Sequence, residues 1–373
     1  MKILHTADWH LGLELHGVSL LDAQRQMVRA LAEAAQREGA EALLISGDVF
    51  DRVQAPPEAI ALYDEAMALF LNELRIPVYL IAGNHDAAPR LGSLRAVLQR
   101  LHLHVAGRLD PFAQPLLLED CALYLLPHFG PDEARYFFPD AQIAGSARAM
   151  EVVLEQLKRS FPDDRRKLLL AHCFAAGGQA GGSDRSAQVG GSGRVPLETF
   201  EGFDYVALGH LHAPQTLRGF IRYAGSPLPY SFAEAGQAKS ATLLDSQTLA
   251  LRPIPLPCPY ELVERSGRAE ELVAFAEENR GSEAYCSLRL TDRAVDYAIE
   301  RRLRELLPGL LLLQGQAPSL QADAVLRPEE LSALSPLSLL RRYMQSVEGA
   351  PPDEEQEAWF LRALEAEGPP PSA

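Results

Sequence analysis

Five short segments rich in Asp, Asn and His are strung along the chain, most of them directly behind an apolar, β-prone run. They are Asp8-Trp9-His10, Gly47-Asp48, Gly83-Asn84-His85-Asp86, Ala171-His172 and Gly209-His210-Leu211-His212. Ligands of open α/β sheets gather at the carboxyl ends of strands, where separate loops converge. Five such strand ends therefore describe one site assembled from distant parts of the chain. Carboxylate and amide oxygens beside imidazole nitrogens suit Mn²⁺ or a similar divalent ion better than a thiolate-seeking one. In Asp8-x-His10 and His210-x-His212 the alternate spacing turns both side chains to one side of an extended segment. Gly47, Gly83 and Gly209 allow tight turns that bring backbone close to a metal. A lone D-x-H or H-x-H is usually an ordinary surface pair. His102-Leu103-His104 has the same spacing with no glycine or carboxylate beside it, and is assigned no role. The ordered set of five carries the reading.

The surrounding pattern is α/β. Strands are expected at residues 2–6, 42–46 and 78–81, separated by helices at 23–37 and 58–74. Near-continuous apolar strands between helices imply a sheet covered on both faces. Further strands are expected at 123–126, 167–171, 205–208, 221–224, 241–245 and 249–253, the later ones close enough for antiparallel meanders. A Gly/Ser-rich stretch at 177–193 has no periodicity and is expected to be a mobile loop beside the site. The run PIPLPCP, ending at Pro259, reads as a domain linker, because prolines stiffen it and cannot join a ladder. Strand, helix, strand, helix and strand then follow at 260–264, 269–279, 285–290, 294–307 and 310–314, which suits a small α+β domain. Two short helices, 338–347 and 354–365, are joined by GAPPD. Leu339, Leu340, Tyr343, Met344 and Val347 recur at helical spacing on the first, and Trp359, Phe360, Leu361 and Leu364 on the second. The predicted layout is a catalytic domain at 1–255, the small domain at 256–325, terminal helices at 326–367 and a disordered tail at 368–373. No internal repeats are evident.

A chain of 373 residues, 47% hydrophobic, suits two or three domains and needs no disulfides. Cys121, Cys173, Cys258 and Cys286 have neither metal-site nor redox spacing, so buried free thiols in a reducing compartment are expected. The run MKILHTADWH is interrupted by His5 and Asp8 and cannot serve as a signal peptide, and no later stretch is long enough to span a membrane. A soluble cytoplasmic protein, nucleoid-associated at most, is expected. The net charge of −15 should be repelled by phosphate backbones, which argues against autonomous nucleic-acid binding.

The pattern D-x-H, G-D-x-x-D, G-N-H-D, H and G-H-x-H is complete, and in it the chain resembles the calcineurin-like metallophosphoesterase family. That resemblance implies a β-sandwich flanked by helices, carrying two divalent metal ions. It assigns Asp8, His10, Asp48 and His212 to one ion and Asp48, Asn84, His172 and His210 to the other, with Asp48 bridging. Such a pair activates water and clamps phosphoryl oxygens for in-line attack. His85 becomes the catalytic group that assists the leaving oxygen, apt because imidazole titrates near working pH. Asp51, the second Asp of G-D-x-x-D, is expected to orient His85 through a hydrogen bond. Arg52 is a candidate contact for substrate phosphate, set against the plainer reading of a solvated surface charge. His5, His16 and His128 read as packing or surface histidines.

The metal motifs do not distinguish phosphatases, nucleotide phosphodiesterases and nucleases. MKILHTADWHLG, GDVFDR, GNHD, LPH, DYVALGHLHAPQ and YAGSPLPYSF are more specific. They resemble the SbcD-type branch of bacterial nucleases, related to the Mre nucleases, over most of the chain. Ala87 departs from the Ser often found after GNHD in that branch, at a position that is not a ligand. The resemblance implies manganese-dependent cutting of DNA in repair and recombination, as a 3′→5′ exonuclease on double-stranded ends and an endonuclease on single strands and hairpins. It also implies an SbcC-type coiled-coil ATPase partner, a homodimer of nuclease subunits, and a small domain that caps the site and positions DNA. Two divalent ions and a basic partner surface would answer the charge conflict. The apolar faces of the terminal helices could pack on the partner's coiled coil, against the alternative that they fold back on this chain. A phosphatase or nucleotide phosphodiesterase is the rival, disfavoured because a compact catalytic domain needs neither small domain nor terminal helices. A non-catalytic scaffold would lack a ligand or His85, and none is missing.

Overall fold

The apolar runs condense into two six-stranded sheets. Numbering strands along the chain, the first sheet sets β1 (Lys2–Thr6), β4 (Ala42–Ile45), β5 (Val78–Ile81) and β6 (Leu103–Ala106) side by side and parallel. Antiparallel β13 (Ser240–Asp245) and β14 (Leu251–Pro255) extend it beyond β1. The second sheet holds parallel β8 (Cys121–Leu126), β9 (Arg166–His172), β10 (Tyr205–Gly209) and β12 (Ile221–Tyr223), edged by antiparallel β7 (Leu116–Leu117) and β11 (Gln215–Leu217). A short hairpin of β2 (Glu14–Leu15) and β3 (Val18–Ser19) stands apart. The computed structural model describes residues 1–181, 193–316, 334–347 and 351–367. Most of the stretch expected as a mobile loop, residues 317–333 and the expected disordered tail lie outside the described residues.

The sheets face each other. Ile3, Leu44, Tyr79 and Ile81 of the first share a dry cluster with Leu123, Leu168, Leu170 and Ala207 of the second. On the far side of the second sheet, Tyr124, Leu169 and Val206 meet Met150, Val153 and Leu157 of helix Ser146–Lys158. Leu4, Leu43, Ile45 and Leu80 are equally buried, and strand alternation turns them to the other face of the first sheet. Parallel neighbours need helical crossovers, and Leu21–Glu38 and Pro57–Ala68 supply them. Each such buried leucine or isoleucine contributes about 1.5–3 kcal/mol. Helix Leu21–Glu38 buries Gln24, Met27, Val28 and Leu31 at helical spacing and stops at Gly39, whose φ of 66° makes the left-handed cap. His5 is a packing histidine between the sheets: its Nδ1 lies 2.9 Å from the Tyr205 hydroxyl and its Nε2 2.7 Å from Ser46 Oγ. His104 stacks on Tyr79 at 4.8 Å and His16 packs against Phe232 at 5.5 Å.

Four expectations need correction. The helix expected at 58–74 ends at Ala68 and gives way to a wider π turn, Leu69–Glu73. The expected meander is interrupted, because β12 pairs parallel to β10 and β13 crosses to the first sheet. Pro253 and Pro255 of the expected linker lie within β14, opposite Thr242 and Ser240. An edge strand leaves alternate amides unbonded, so proline fits there. Cys258 is exposed, whereas Cys121, Cys173 and Cys286 are buried, and all four are free.

The chain divides into two units, Met1–Glu264 with Glu283–Ser287, and Arg265–Ser282 with Leu288–Ala373. The C-terminal part carries a three-stranded sheet of β15 (Leu262–Gly267), β16 (Tyr285–Leu290) and β17 (Leu310–Gln314), with helices Ala269–Glu278 and Tyr297–Leu306. The Asp296 carboxylate caps the second helix by accepting from Ile299 N at 2.9 Å. Helices Pro336–Val347 and Glu354–Glu367 are tied by two bonds from the Arg341 guanidinium to the Glu357 carboxylate, at 2.5 and 2.6 Å, and leave Tyr343, Trp359 and Leu361 exposed. Among the described residues, no helix is long and apolar enough to cross a membrane.

Candidate metal centre

The carboxyl ends of β1, β4 and β5 lie side by side in the first sheet, and those of β9 and β10 in the second. Asp8 and His10 follow β1, Asp48 follows β4, Asn84 and His85 follow β5, His172 ends β9, and His210 and His212 follow β10. The loops are stitched together by their own backbones. Asp8 N donates to Gly47 O at 3.1 Å, and His10 N to Asp48 O at 3.0 Å. His210 N donates to the Asp8 carboxylate at 2.9 Å, and His85 N to Asp48 Oδ1 at 2.9 Å. Four of the predicted ligands adopt positive φ: Asp8 at 52°, His10 at 44°, Asp48 at 47° and His210 at 105°. Non-glycine residues hold such angles only where surrounding contacts over-determine them, as these cross-loop bonds do. Gly83 is required for a different reason. A Cβ there would sit 2.1 Å from Asp48 Oδ1.

The side chains meet at short range. Asn84 Oδ1 lies 3.0 Å from both His172 Nε2 and His210 Nδ1, and His172 Nε2 is 3.4 Å from Asp48 Oδ2. His172 Nδ1 donates to Ser46 O at 2.7 Å, which turns Nε2 toward the centre. His10 Nε2 is 3.2 Å from His212 Nε2 and 3.8 Å from Asp48 Oδ2. Ligand atoms of Asp8, His10 and Asp48 lie within 4.8 Å of one another, as do those of His10, Asp51 and His85. Burial pushes the Asp8 carboxyl up to about 7, although His172 and His212 oppose it. Burial acts the same way on Asp48, but the imidazoles of His172 and His10 hold it well below the usual carboxylate range. Burial disfavours charge on His172 too, yet Asp48 and Asp8 raise it to about 9. His10 and His210 are lowered to about 3, chiefly by burial.

This donor set fits divalent cations. Buried carboxylates, an amide oxygen and imidazole nitrogens face one another at short range. His10 Nδ1 is buried without a hydrogen-bond partner. His212 Nδ1 pairs with the Glu234 carboxylate at 3.1 Å, which turns its Nε2 toward the Nε2 of His10, 3.2 Å away. Imidazole and carboxylate lone pairs gathered at this range are the donors a divalent cation takes.

Asp51 makes the expected hydrogen bond to His85, but through its backbone. His85 Nδ1 is held by the Asp51 backbone carbonyl at 2.7 Å, not by its carboxylate. The carboxylate instead lies 3.7 Å from His10 Nδ1 and 3.4 Å from Arg52 Nε. The Arg52 side chain is 58% exposed at the rim. His128 is exposed, its ring 6.2 Å from that of His172, and partial desolvation lowers it to about 4. Sequence reasoning missed several supporting groups. The Asp86 carboxylate accepts from Gly83 N at 2.8 Å, Phe50 N at 3.0 Å and Val49 N at 3.2 Å, clamping two ligand loops together. Glu234, paired with buried Lys239, orients His212. Gln24 donates to His10 O at 2.7 Å and accepts from Gly12 N at 2.9 Å. Only Asp86 carried a signal, as the last member of GNHD.

Comparison with known proteins accords with this geometry. Residues 1–214 match the Calcineurin-like phosphoesterase family, and residues 258–348 match the Type 5 capsule protein repressor C-terminal domain. The chain is 32% identical over 317 residues to the D subunit of the SbcCD nuclease of Staphylococcus epidermidis, covering 84% of this chain and 85% of that protein. It is 28% identical over 352 residues to the corresponding D subunit of Staphylococcus saprophyticus, covering 94% of each. The chain belongs to the calcineurin-like phosphoesterase family, among the D subunits of SbcCD nucleases, as a metal-dependent phosphodiester hydrolase.

Proposed function

We propose that this chain cuts DNA with two divalent ions, Mn²⁺ by preference. Asp8, His10, Asp48 and His212 hold one, and Asp48, Asn84, His172 and His210 hold the other. The observation that carries the reading is the convergence of seven oxygen and nitrogen donors from five strand ends, in a chain whose relatives are named nucleases. When bound, the ions supply Lewis acidity to the phosphoryl oxygens and lower the pKa of the attacking water. Asp48 is the shared ligand, and its backbone contact with the His10 loop fixes the spacing between the two halves. His85 donates from Nδ1 to Asp51 O, which keeps Nε2 for the proton the leaving oxygen needs. Asp51 thus acts on His85 through its backbone carbonyl. Arg52 is assigned to a substrate phosphate.

On this reading the substrates are double-stranded ends, attacked 3′→5′, and single strands and hairpins, cut internally. The partner is an SbcC-type coiled-coil ATPase. Helices Pro336–Val347 and Glu354–Glu367 are its docking element, supported by the exposure of Tyr343, Trp359 and Leu361. The small α+β domain caps the site, two nuclease subunits form a homodimer, and the protein works in the cytoplasm.

The test compares wild type with His85→Ala, with Mn²⁺ and with chelator. It uses end-labelled hairpin DNA, bis-p-nitrophenyl phosphate and a phosphomonoester. DNA cutting that needs both metal and His85, at least about a hundredfold above the variant, is expected for lost general acid catalysis. Brisk monoester turnover with intact DNA would replace this reading with a phosphatase.

A further inference from the structure

Between Asp86 and Asp110 the chain contains no acidic residue, yet it carries Arg90, Arg95, Arg100 and Arg108. In a protein of net charge −15 this is a pronounced local reversal, and it begins at the residue after GNHD. Among the described residues these four arginines have no ion-pair partner. Elsewhere arginines are commonly neutralised, as in Arg25 with Glu65, Arg218 with Glu198 and Glu201, and Arg302 with Glu277.

The fold gathers two of them beside the catalytic loop. Arg95 and Arg108 line one open groove of about 600 Å³, whose floor includes Ala88 and Pro89 and whose wall includes Phe137. Asp110 is the one carboxylate on that lining, and it accepts from Phe112 N at 3.2 Å. Gly107 sets the closeness. A Cβ there would fall 2.2 Å from Ala88 O, so the end of β6 presses against the segment that follows His85 and delivers Arg108 to it. An aromatic rim adjoins Phe137: Tyr136, 82% exposed, has its ring 5.2 Å away, and half-exposed Phe112 lies at 6.3 Å. Unpaired guanidinium groups next to exposed rings make a surface for phosphates with stacked bases, the combination that holds single-stranded nucleic acid.

We infer that this groove is a binding subsite for single-stranded DNA running past the catalytic centre, with Arg95 and Arg108 on its phosphates and Tyr136 and Phe112 on an unstacked base. The inference rests on the DNA reading above and names the part of the chain that overcomes its net negative charge. The lining of the groove shares no residue with the predicted ligands, so turnover of a small phosphodiester should not depend on it.

The test measures binding of a fluorescent single-stranded oligonucleotide by anisotropy across a salt series, using the full chain with Mn²⁺ in a His85→Ala background. Arg95→Ala/Arg108→Ala should lower the slope of log K against log salt by about 1.4, for two lost single-strand phosphate contacts. At 0.1 M salt that slope change corresponds to roughly 25-fold weaker binding. Arg95→Lys/Arg108→Lys should restore most of the slope, and Tyr136→Ala should weaken binding without changing it. With His85 present, bis-p-nitrophenyl phosphate turnover should be unaffected by the arginine changes. Unchanged oligonucleotide affinity and slope in the alanine pair would overturn the inference. If the alanine pair melts early, Arg95→Gln/Arg108→Gln carries the same expectations. Wild type that hydrolyses the small diester yet binds no DNA would remove the DNA reading itself, a separate result.

Discussion

Gly83→Ala isolates the contribution of one close approach to the metal centre. Gly83 has an ordinary backbone angle, so alanine adds no dihedral strain and the effect is steric. Its new Cβ would lie 2.1 Å from Asp48 Oδ1, 2.4 Å from Asp48 N and 2.7 Å from Asp48 Cγ. Ordinary contact begins near 3.4 Å, so the carboxylate oxygen must retreat by about 1.3 Å. The nearest atoms belong to the residue assigned to both ions and to its own backbone, so no flexible end can yield instead. A displacement of about 1 Å at a reacting centre costs on the order of a hundredfold in rate. Overpacking of this kind costs about 1–3 kcal/mol of stability. The assay is kcat/KM for bis-p-nitrophenyl phosphate with Mn²⁺, paired with thermal melting. Gly193→Ala is the control, since nothing lies within 4 Å of a Cβ there, and it should fall within about 0.5 kcal/mol of wild type. Wild-type turnover by Gly83→Ala would refute the argument, because Asp48 could then move without cost.

Three further outcomes are expected. Burial lowers His5 from 6.5 to about 3, so below pH 6.5 the unfolded chain takes up a proton that the folded chain refuses. Stability should therefore fall by about 1.4 kcal/mol per pH unit from this residue as pH drops from 6.5 toward 3, and a His5→Gln variant melted across pH should show a flatter decline; an unchanged profile would contradict the assignment. Glu234→Ala should weaken Mn²⁺ binding by about 10–100-fold in calorimetry, because His212 loses the carboxylate that orients it, and unaltered affinity would rule out that role. Burial pushes the thiols of Cys121 and Cys173 up to about 12, and Cys286 is buried as well, so a thiol reagent at about pH 8 should modify only Cys258 before denaturation. Rapid labelling of a second cysteine would contradict the burial.

The ligand residues are legible in the amino-acid sequence, because metal chemistry restricts residue types and strand-ending glycines mark where loops turn. Asp8, His10, Asp48, Asn84, His172, His210 and His212 stand out for that reason, and so do the long apolar strands β1, β4, β5, β9 and β10. Their roles as ligands rest on chemistry and likeness, while their proximity is a matter of geometry. Other features have no local signature. Strand β6 hides in the stretch with the discounted histidine pair, since its buried Leu103 and Val105 alternate over only four residues, too short a run to stand out. Pro253 and Pro255 look like a linker until an edge position makes their missing donors harmless.

Residue order alone dictates which atoms are available to bind metal and which segments are apolar enough to become strands. Both depend on residue type and on spacing along a single element. Other relations arise only when the chain is folded. Folding turned the Asp51 carbonyl rather than its carboxylate to His85, brought Glu234 across 22 residues to His212, and laid Arg95 beside Arg108. Those relations depend on which strands become neighbours and on where a loop points its backbone. Side-chain chemistry constrains neither until the two sheets have packed.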